Sequence, residues 1–276
     1  MAKPSFTPEE LEQLRWAYQH LEHPSFAARL SNVIGTPIEQ TLKLLPKSWH
    51  QRVNRAAEFS IRQAMSMAVK TLDARAVSGA RDTYHKFAAF TAGAVGGFFG
   101  PVGLTVELPV ITLLMLRSIA DIARSEGEDL DTLDARFACV EVFALGGRSA
   151  EDDATDTGYY GLRSTLAFHF AGVANYGGAS GLNVPAGVEL IRGISARFGV
   201  VISDEVAVQM VPVAGAVSGG LLNLVFMQHF QDVARGHFTL RRLERKYKPD
   251  VVRKEYQRIQ KDEIESIKGF SHLEGW

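Results

Sequence analysis

Apolar residues recur along most of the chain at three- and four-residue spacing, the period of an amphipathic helix. Two runs break that pattern by carrying no charge at all, Phe87 to Val106 and Val206 to Gln231, the second about as long as a membrane span. Thr7 followed by Glu10 is a capping box and predicts a helix through about Leu21. A short apolar helix, Ser25 to Ile34, stops at Gly35-Thr36-Pro37, and another piece ends at Pro46. Ser48 to Arg75 reads as one long amphipathic helix with Val53, Ala57, Ile61, Ala64, Met65 and Ala68 on one face. Asp131 or Thr132 caps a helix from Leu133 to Leu145 that ends at Gly146-Gly147, and an acid-rich loop follows from Arg148 to Thr157. Thr165 to Ala174 is read as helical, Asn175 to Leu182 as a loop, and Pro185 as the first turn of a helix through Phe198. Ser203 is read as a cap for the next turn, and Asp232 to Lys268 as a charged amphipathic helix interrupted near Pro249. No apolar pieces are joined by hairpin turns at strand spacing. The predicted fold class is all-α, a multi-helix bundle built around two Gly-rich apolar segments, about 87–123 and 206–231, sheathed by amphipathic helices.

Five glycines crowd the first charge-free run, Gly93, Gly96, Gly97, Gly100 and Gly103. Each costs roughly 0.5–1 kcal/mol in a helix relative to alanine, which close approach of a second backbone offsets. Gly93 with Gly97, and Gly96 with Gly100, have the small-xxx-small spacing that permits that approach. Gly100-Pro101 breaks the helix, and a second apolar arm runs from about Val102 with three charges, Glu107, Arg117 and Asp121. Ala214 to Gly220 echoes Ala92 to Gly97. Either the two segments pack across a pseudo-twofold axis, or the echo is compositional.

The chain has 276 residues, 46% of them hydrophobic, and a net charge of −1, enough for one large core or two small ones. Its single cysteine, Cys139, excludes an intrachain disulfide and a Cys-based zinc site. With no apolar signal region at the N-terminus, a cytoplasmic location is expected. Charge is distributed in blocks. Glu126 to Asp156 holds ten acids against two arginines, and Arg235 to Lys261 ten basic residues against three acids. Such blocks form solvated surfaces, pair with each other in a homodimer, or lay the basic end on anionic lipid. Arg241, Arg242, Arg245, Lys246 and Lys248 are the residues that would meet lipid headgroups on the inner face of a membrane. A mean hydropathy of −0.02 favours such peripheral contact over a stable span.

Candidate chemistry is sparse. Glu107, Arg117 and Asp121 share one apolar helix, Arg117 and Asp121 at the i, i+4 spacing of an ion pair. They form either a buried network that fixes hairpin register or a polar cleft with Asn223, Gln228 and His229 opposite. His229 and Asp232 are one turn apart, as two metal ligands would be, but no third ligand stands at metal spacing, so no metal and no cofactor is expected. Glu141 and His169 are the remaining ionisable groups of ligand type in apolar surroundings. Cys139 reads as a core residue. Gly178-Ala179-Ser180-Gly181 is no nucleophile elbow, GGFFGPVG lacks the Lys-Ser/Thr of a phosphate loop, and no nucleic-acid module is present.

The run GGFFGPVGLTVELPVITLLMLRSIADIA, the acidic GEDLD after it, the YYGLR segment and then VPVAGAVSGGLLNLVFMQHFQDVARGHFTLRRL resemble the EcsC protein family over about residues 50 to 247. That family takes its name from a bacterial protein encoded beside an ABC transporter. The resemblance therefore implies a link to transport, with no reaction or catalytic residue to carry over. It divides the chain into an N-terminal helical extension (1–47), an EcsC-like helical domain (48–247) and a charged C-terminal helix (248–276). Three functions are in play: a peripheral membrane accessory protein that binds lipid or another apolar ligand, a hydrolase using Glu107, Asp121 or His229 as acid or base with or without a metal, and a homodimerising interaction module.

Overall fold

The segment Leu133–Leu145 has almost no polar face: Ala135 and every residue from Phe137 to Leu145 are buried, and the only charge among the latter is Glu141. A helix that is apolar all round belongs inside a bundle. The computed structural model describes residues 6–23, 26, 29, 47–71, 104–147, 158–176, 180–209 and 219–273. Among them are eight α-helices, one 3₁₀ turn (Ser180–Asn183) and no strand, an all-α architecture as the periodicity predicts. The helices are α1 (Pro8–Glu22), α2 (Lys47–Thr71), α3 (Leu104–Ser125), α4 (Leu133–Leu145), α5 (Tyr159–Asn175), α6 (Pro185–Gln209), α7 (Gly219–Tyr247) and α8 (Pro249–Leu273). Helix α4 is the axis, packed against α2, α3, α5, α6 and α7.

Local signals placed several of these elements. The Thr7–Glu10 capping box is formed in both directions, and Thr132 accepts the Ala135 N–H to open α4. All six residues of the predicted α2 face are buried. At the far end of α4, Gly147 meets α6 so closely that a Cβ there would lie 2.2 Å from the Arg197 carbonyl oxygen. Phe143, Phe198, Phe226 and Phe230 interlock around that end with centroids 5.1–6.0 Å apart, in tilted and edge-on arrangements.

Elsewhere tertiary context overrode the local reading. Ser203 caps nothing: its hydroxyl donates to the Gly199 carbonyl within α6, which continues to Gln209 because Val201 and Ile202 are buried. From Gly219 on, the charge-free run and the charged helix that follows it are not separate elements. Gly219 to Tyr247 is a single helix, and the break falls at Lys248, whose φ of 75° ends α7. The first half of the Gly-rich hairpin, the echoing Ala214 to Ser218, most of the predicted Ser25–Ile34 helix and the acid-rich loop lie outside the described residues.

The acidic and basic blocks close on each other within the chain. Arg241 makes a bidentate pair with Glu128 (2.8 and 3.1 Å) and reaches Asp134 at 2.6 Å, while Arg242 meets Glu126 at 2.6 Å. Arg245 meets both Glu128 and the Glu126 carbonyl, and Lys246 meets Glu10 at 2.6 Å. Helix α1 packs on α7 and α8. Its last residue, Glu22, accepts from Tyr256 (2.8 Å) and from the Tyr159 N–H (3.1 Å), supplying the N-terminal cap that Gly158 cannot give α5.

Candidate functional site

A cleft of about 310 Å³ opens between α4, α5 and α7. Leu133 and Phe137 of α4 and Ala167, Phe170 and Ala171 of α5 form its apolar wall, with the Phe137 and Phe170 rings stacked at 4.6 Å. Its polar end carries Asp134, Glu141, Arg163 and Arg241. This combination of an apolar wall and a few convergent polar groups is that of a small-molecule site.

The polar end is built from a chain of contacts. Arg163 Nη1 donates to both Glu244 oxygens (2.9 and 2.8 Å) and to Tyr159 Oη at 3.3 Å. Tyr159 Oη lies 3.0 Å from His237 Nδ1. Burial pushes the Tyr159 hydroxyl pKa upward and holds His237 far below its ordinary value, with Arg163 and Arg241 adding to the second effect. Tyr159 therefore keeps its proton and His237 stays neutral, and the two share one hydrogen bond through Nδ1. His237 Nε2 has no hydrogen-bond partner and stands 3.6 Å from Glu141 Oε2, beyond hydrogen-bond reach.

Glu141 is 4% exposed and, among the described residues, makes no hydrogen bond. Burial raises its carboxyl to about 7, against a smaller opposing pull from Arg163 and Arg241. All of Arg163's hydrogen bonds leave from Nη1, so its Nε and Nη2 donors carry none among the described residues. Glu141 and Arg163 thus turn unused hydrogen-bonding capacity toward the cleft, with the buried His237 Nε2 beside Glu141. The arrangement can exchange a proton near neutral pH and can donate to an anionic or carbonyl oxygen.

Of the residues singled out from the sequence, Glu141 and Arg241 line this cleft, and the polar-cleft candidates lie elsewhere. Asp121 pairs with Arg124 at 2.7 Å, and Arg117 is exposed. Glu107 falls on α3, but its side chain lies outside the described residues. Asp232 is held by Arg29 (2.7 Å), Gln228 (2.6 Å) and Arg235 (3.2 Å) beside a second cavity of about 290 Å³ lined by Arg29, Leu224, Val225 and Gln228. Asn223 and His229 are buried on the same helix, and His229 Nε2 donates to the Gly146 carbonyl at 2.7 Å. His229 and Asp232 thus serve different neighbours. No group of three or more His, Cys, Asp or Glu able to hold a metal exists among the described residues. Cys139 is a buried free thiol. Four of the five basic candidates occupy the ion pairs described above, and the fifth, Lys248, is exposed at the end of α7.

What the spacing missed is Tyr159, Arg163, His237 and Glu244, and it left Glu141 undeveloped. The signal was present in part: Glu141 is the lone charge inside Phe137–Leu145, and Tyr159 to Arg163 is the YYGLR segment.

No curated protein and no solved structure matches the chain. The profile of the EcsC protein family matches residues 7–243, so it takes in α1 as well and extends further toward the N-terminus than the start near residue 50 read from the motifs. With most of its length matched, including every element that lines the cleft, the chain belongs to the EcsC protein family.

Proposed function

We propose that this protein is a peripheral membrane accessory protein that binds lipid or another apolar ligand in the cleft between α4, α5 and α7. One observation carries the reading: the helix that supplies the apolar wall also presents apolar surface outward. Phe168 is 79% exposed and Tyr176 63%, and no Asp, Glu, Lys or Arg occurs from Ser164 to Val188. An exposed aromatic on a helix without charge beyond Arg163, one turn from a cleft wall, suits a bilayer interface that delivers an amphipathic molecule. No helix of the described residues is long and apolar enough to cross a membrane. The link to transport implied by the family resemblance accords with a ligand-binding accessory. Native mass spectrometry of purified protein, with lipid extraction, is the first test. Co-purified amphiphile, together with liposome binding that Phe168→Asp abolishes, is the expected result; an apo mass with no liposome binding overturns it.

A second reading is an acid/base hydrolase, favoured by Glu141 standing beside His237 in a cleft. It requires turnover of acyl esters with a pH–rate inflection near 7 that Glu141→Gln removes. Hydrolysis no faster than a buffer blank across pH 5–9 ends it.

A further inference from the structure

Resting on the ligand-binding reading, we infer that the cleft takes a single-chain amphiphile with an anionic headgroup, whose head sits between Arg163 and Arg241 with Glu141 protonated against it. Size comes first. At about 30 Å³ for each water-sized group, 310 Å³ holds roughly ten heavy atoms, most of a ten-carbon amphiphile, the remainder of which stays at the open mouth of the cleft. The apolar wall is continuous from Phe137 to Phe170, so the chain lies there and the head lies at the arginine end.

The sign of the head follows from the groups that face Glu141. From α5 come Arg163 and Tyr159, from α7 come His237, Arg241 and Glu244, and Asp134 lies two turns back on α4. Glu244 and Glu128 already lie against Arg163 and Arg241. With these counterions the cluster is close to neutral once Glu141 holds a proton, and of its groups that line the cleft Arg163, Arg241 and the protonated Glu141 are donors, Asp134 being the one carboxylate left there. An ionised Glu141 would repel an anionic head, whereas a protonated one donates to it, as do the Nε and Nη2 groups that Arg163 leaves unused. His237 lies outside the lining and is held uncharged by burial beside both arginines. Binding an anion here therefore draws a proton onto Glu141, and affinity rises as pH falls. An amine head would require the ionised carboxylate and would give the opposite slope.

The test titrates the full chain with decanoate, decyl phosphate and decylamine at pH 6 and pH 8, by calorimetry in two buffers of different ionisation heat. With Glu141 free at about 7, an anionic amphiphile that fixes its proton binds about tenfold more tightly at pH 6 than at pH 8, with net proton uptake. Decanoate binding identifies a carboxylate head, and decyl phosphate binding alone a phosphate head. Phosphate monoesters titrate near pH 6 themselves. Glu141→Gln separates that contribution, because it removes the protein's share of the slope while keeping a neutral donor. Proton uptake by the wild-type chain supports the inference even if the variant folds poorly. Decylamine binding that tightens with pH, or binding of every amphiphile without a slope, overturns the anionic assignment and leaves the ligand-binding reading standing. Failure of all three to bind, together with an apo mass, removes both.

Discussion

Helix α7 buries two histidines, His229 and His237, both fully enclosed and both held neutral by burial, and they do different things. His229, whose ring is pushed down to about 3, is a joint. Its Nε2 donates to the carbonyl of Gly146, one of the last carbonyls of α4, which the helix itself leaves unsatisfied. Phe26 and Phe230 pack against its ring. His237 is held by Tyr159 on one side and turns its other nitrogen toward a carboxyl that titrates near neutrality and borders a cleft. Burial is common to both, and so is a second ring nitrogen with no hydrogen-bond partner among the described residues; what differs is that His237 Nε2 faces Glu141 at 3.6 Å.

The sharpest way to break the comparison is His229→Ala. It leaves the Gly146 carbonyl buried without a donor and opens a cavity among Phe26, Phe230 and the end of α4, which together cost about 4 kcal/mol. Urea unfolding should show that loss, while decanoate affinity of the folded protein stays unchanged. If affinity fell in step with stability, the two histidines would belong to one site and the contrast would be wrong.

Glu141→Gln tests the other half, and its sign depends on pH. The carboxyl titrates near 4.5 in an unfolded chain and near 7 in the folded one. Within that window the native state holds a proton that the unfolded state releases, so stability declines as pH rises through it. The gap corresponds to about 3 kcal/mol. The variant should therefore match wild type at pH 4 and gain up to about 3 kcal/mol over it at pH 8, read from paired denaturant curves. A constant difference across pH would mean that Glu141 is not the group that titrates.

The contrast also explains what the sequence revealed and what it hid. Elements set by neighbours in sequence were legible: the Thr7–Glu10 box, the Thr132 cap and all six buried positions of α2. The sites were not, because hydrogen bonds over long separations make them. His237 meets Tyr159 across 78 residues and Arg163 meets Glu244 across 81. The His229–Asp232 spacing looked like chemistry only because it was local. Their long-range partners, Gly146 at a separation of 83 and Arg29 at 203, have no signature at helical spacing, whereas Gln228 and Arg235 hold Asp232 at that spacing. Glu141 was the exception, since a lone charge inside an apolar helix is visible in the chain itself and demands a partner or a purpose.

The smallest expected effect concerns the basic end of α7, where the sequence left open a lipid surface, a dimer contact or a solvated face. Arg242 is partly exposed and already bonded to Glu126 and Gln13. Such pairs are worth about 0–1 kcal/mol and weaken with salt. Arg242→Gln should lower stability by less than about 1 kcal/mol at low salt and by almost nothing at 1 M, with the cleft's ligand affinity unchanged. Its effect on liposome binding is the informative reading. If recovery with vesicles is the same as wild type while Phe168→Asp removes it, the charge-free face of α5 meets the bilayer and the basic residues serve the fold. A loss of vesicle binding in Arg242→Gln alone would show that an internally paired arginine is released to lipid, and would move the membrane contact from α5 to the end of α7.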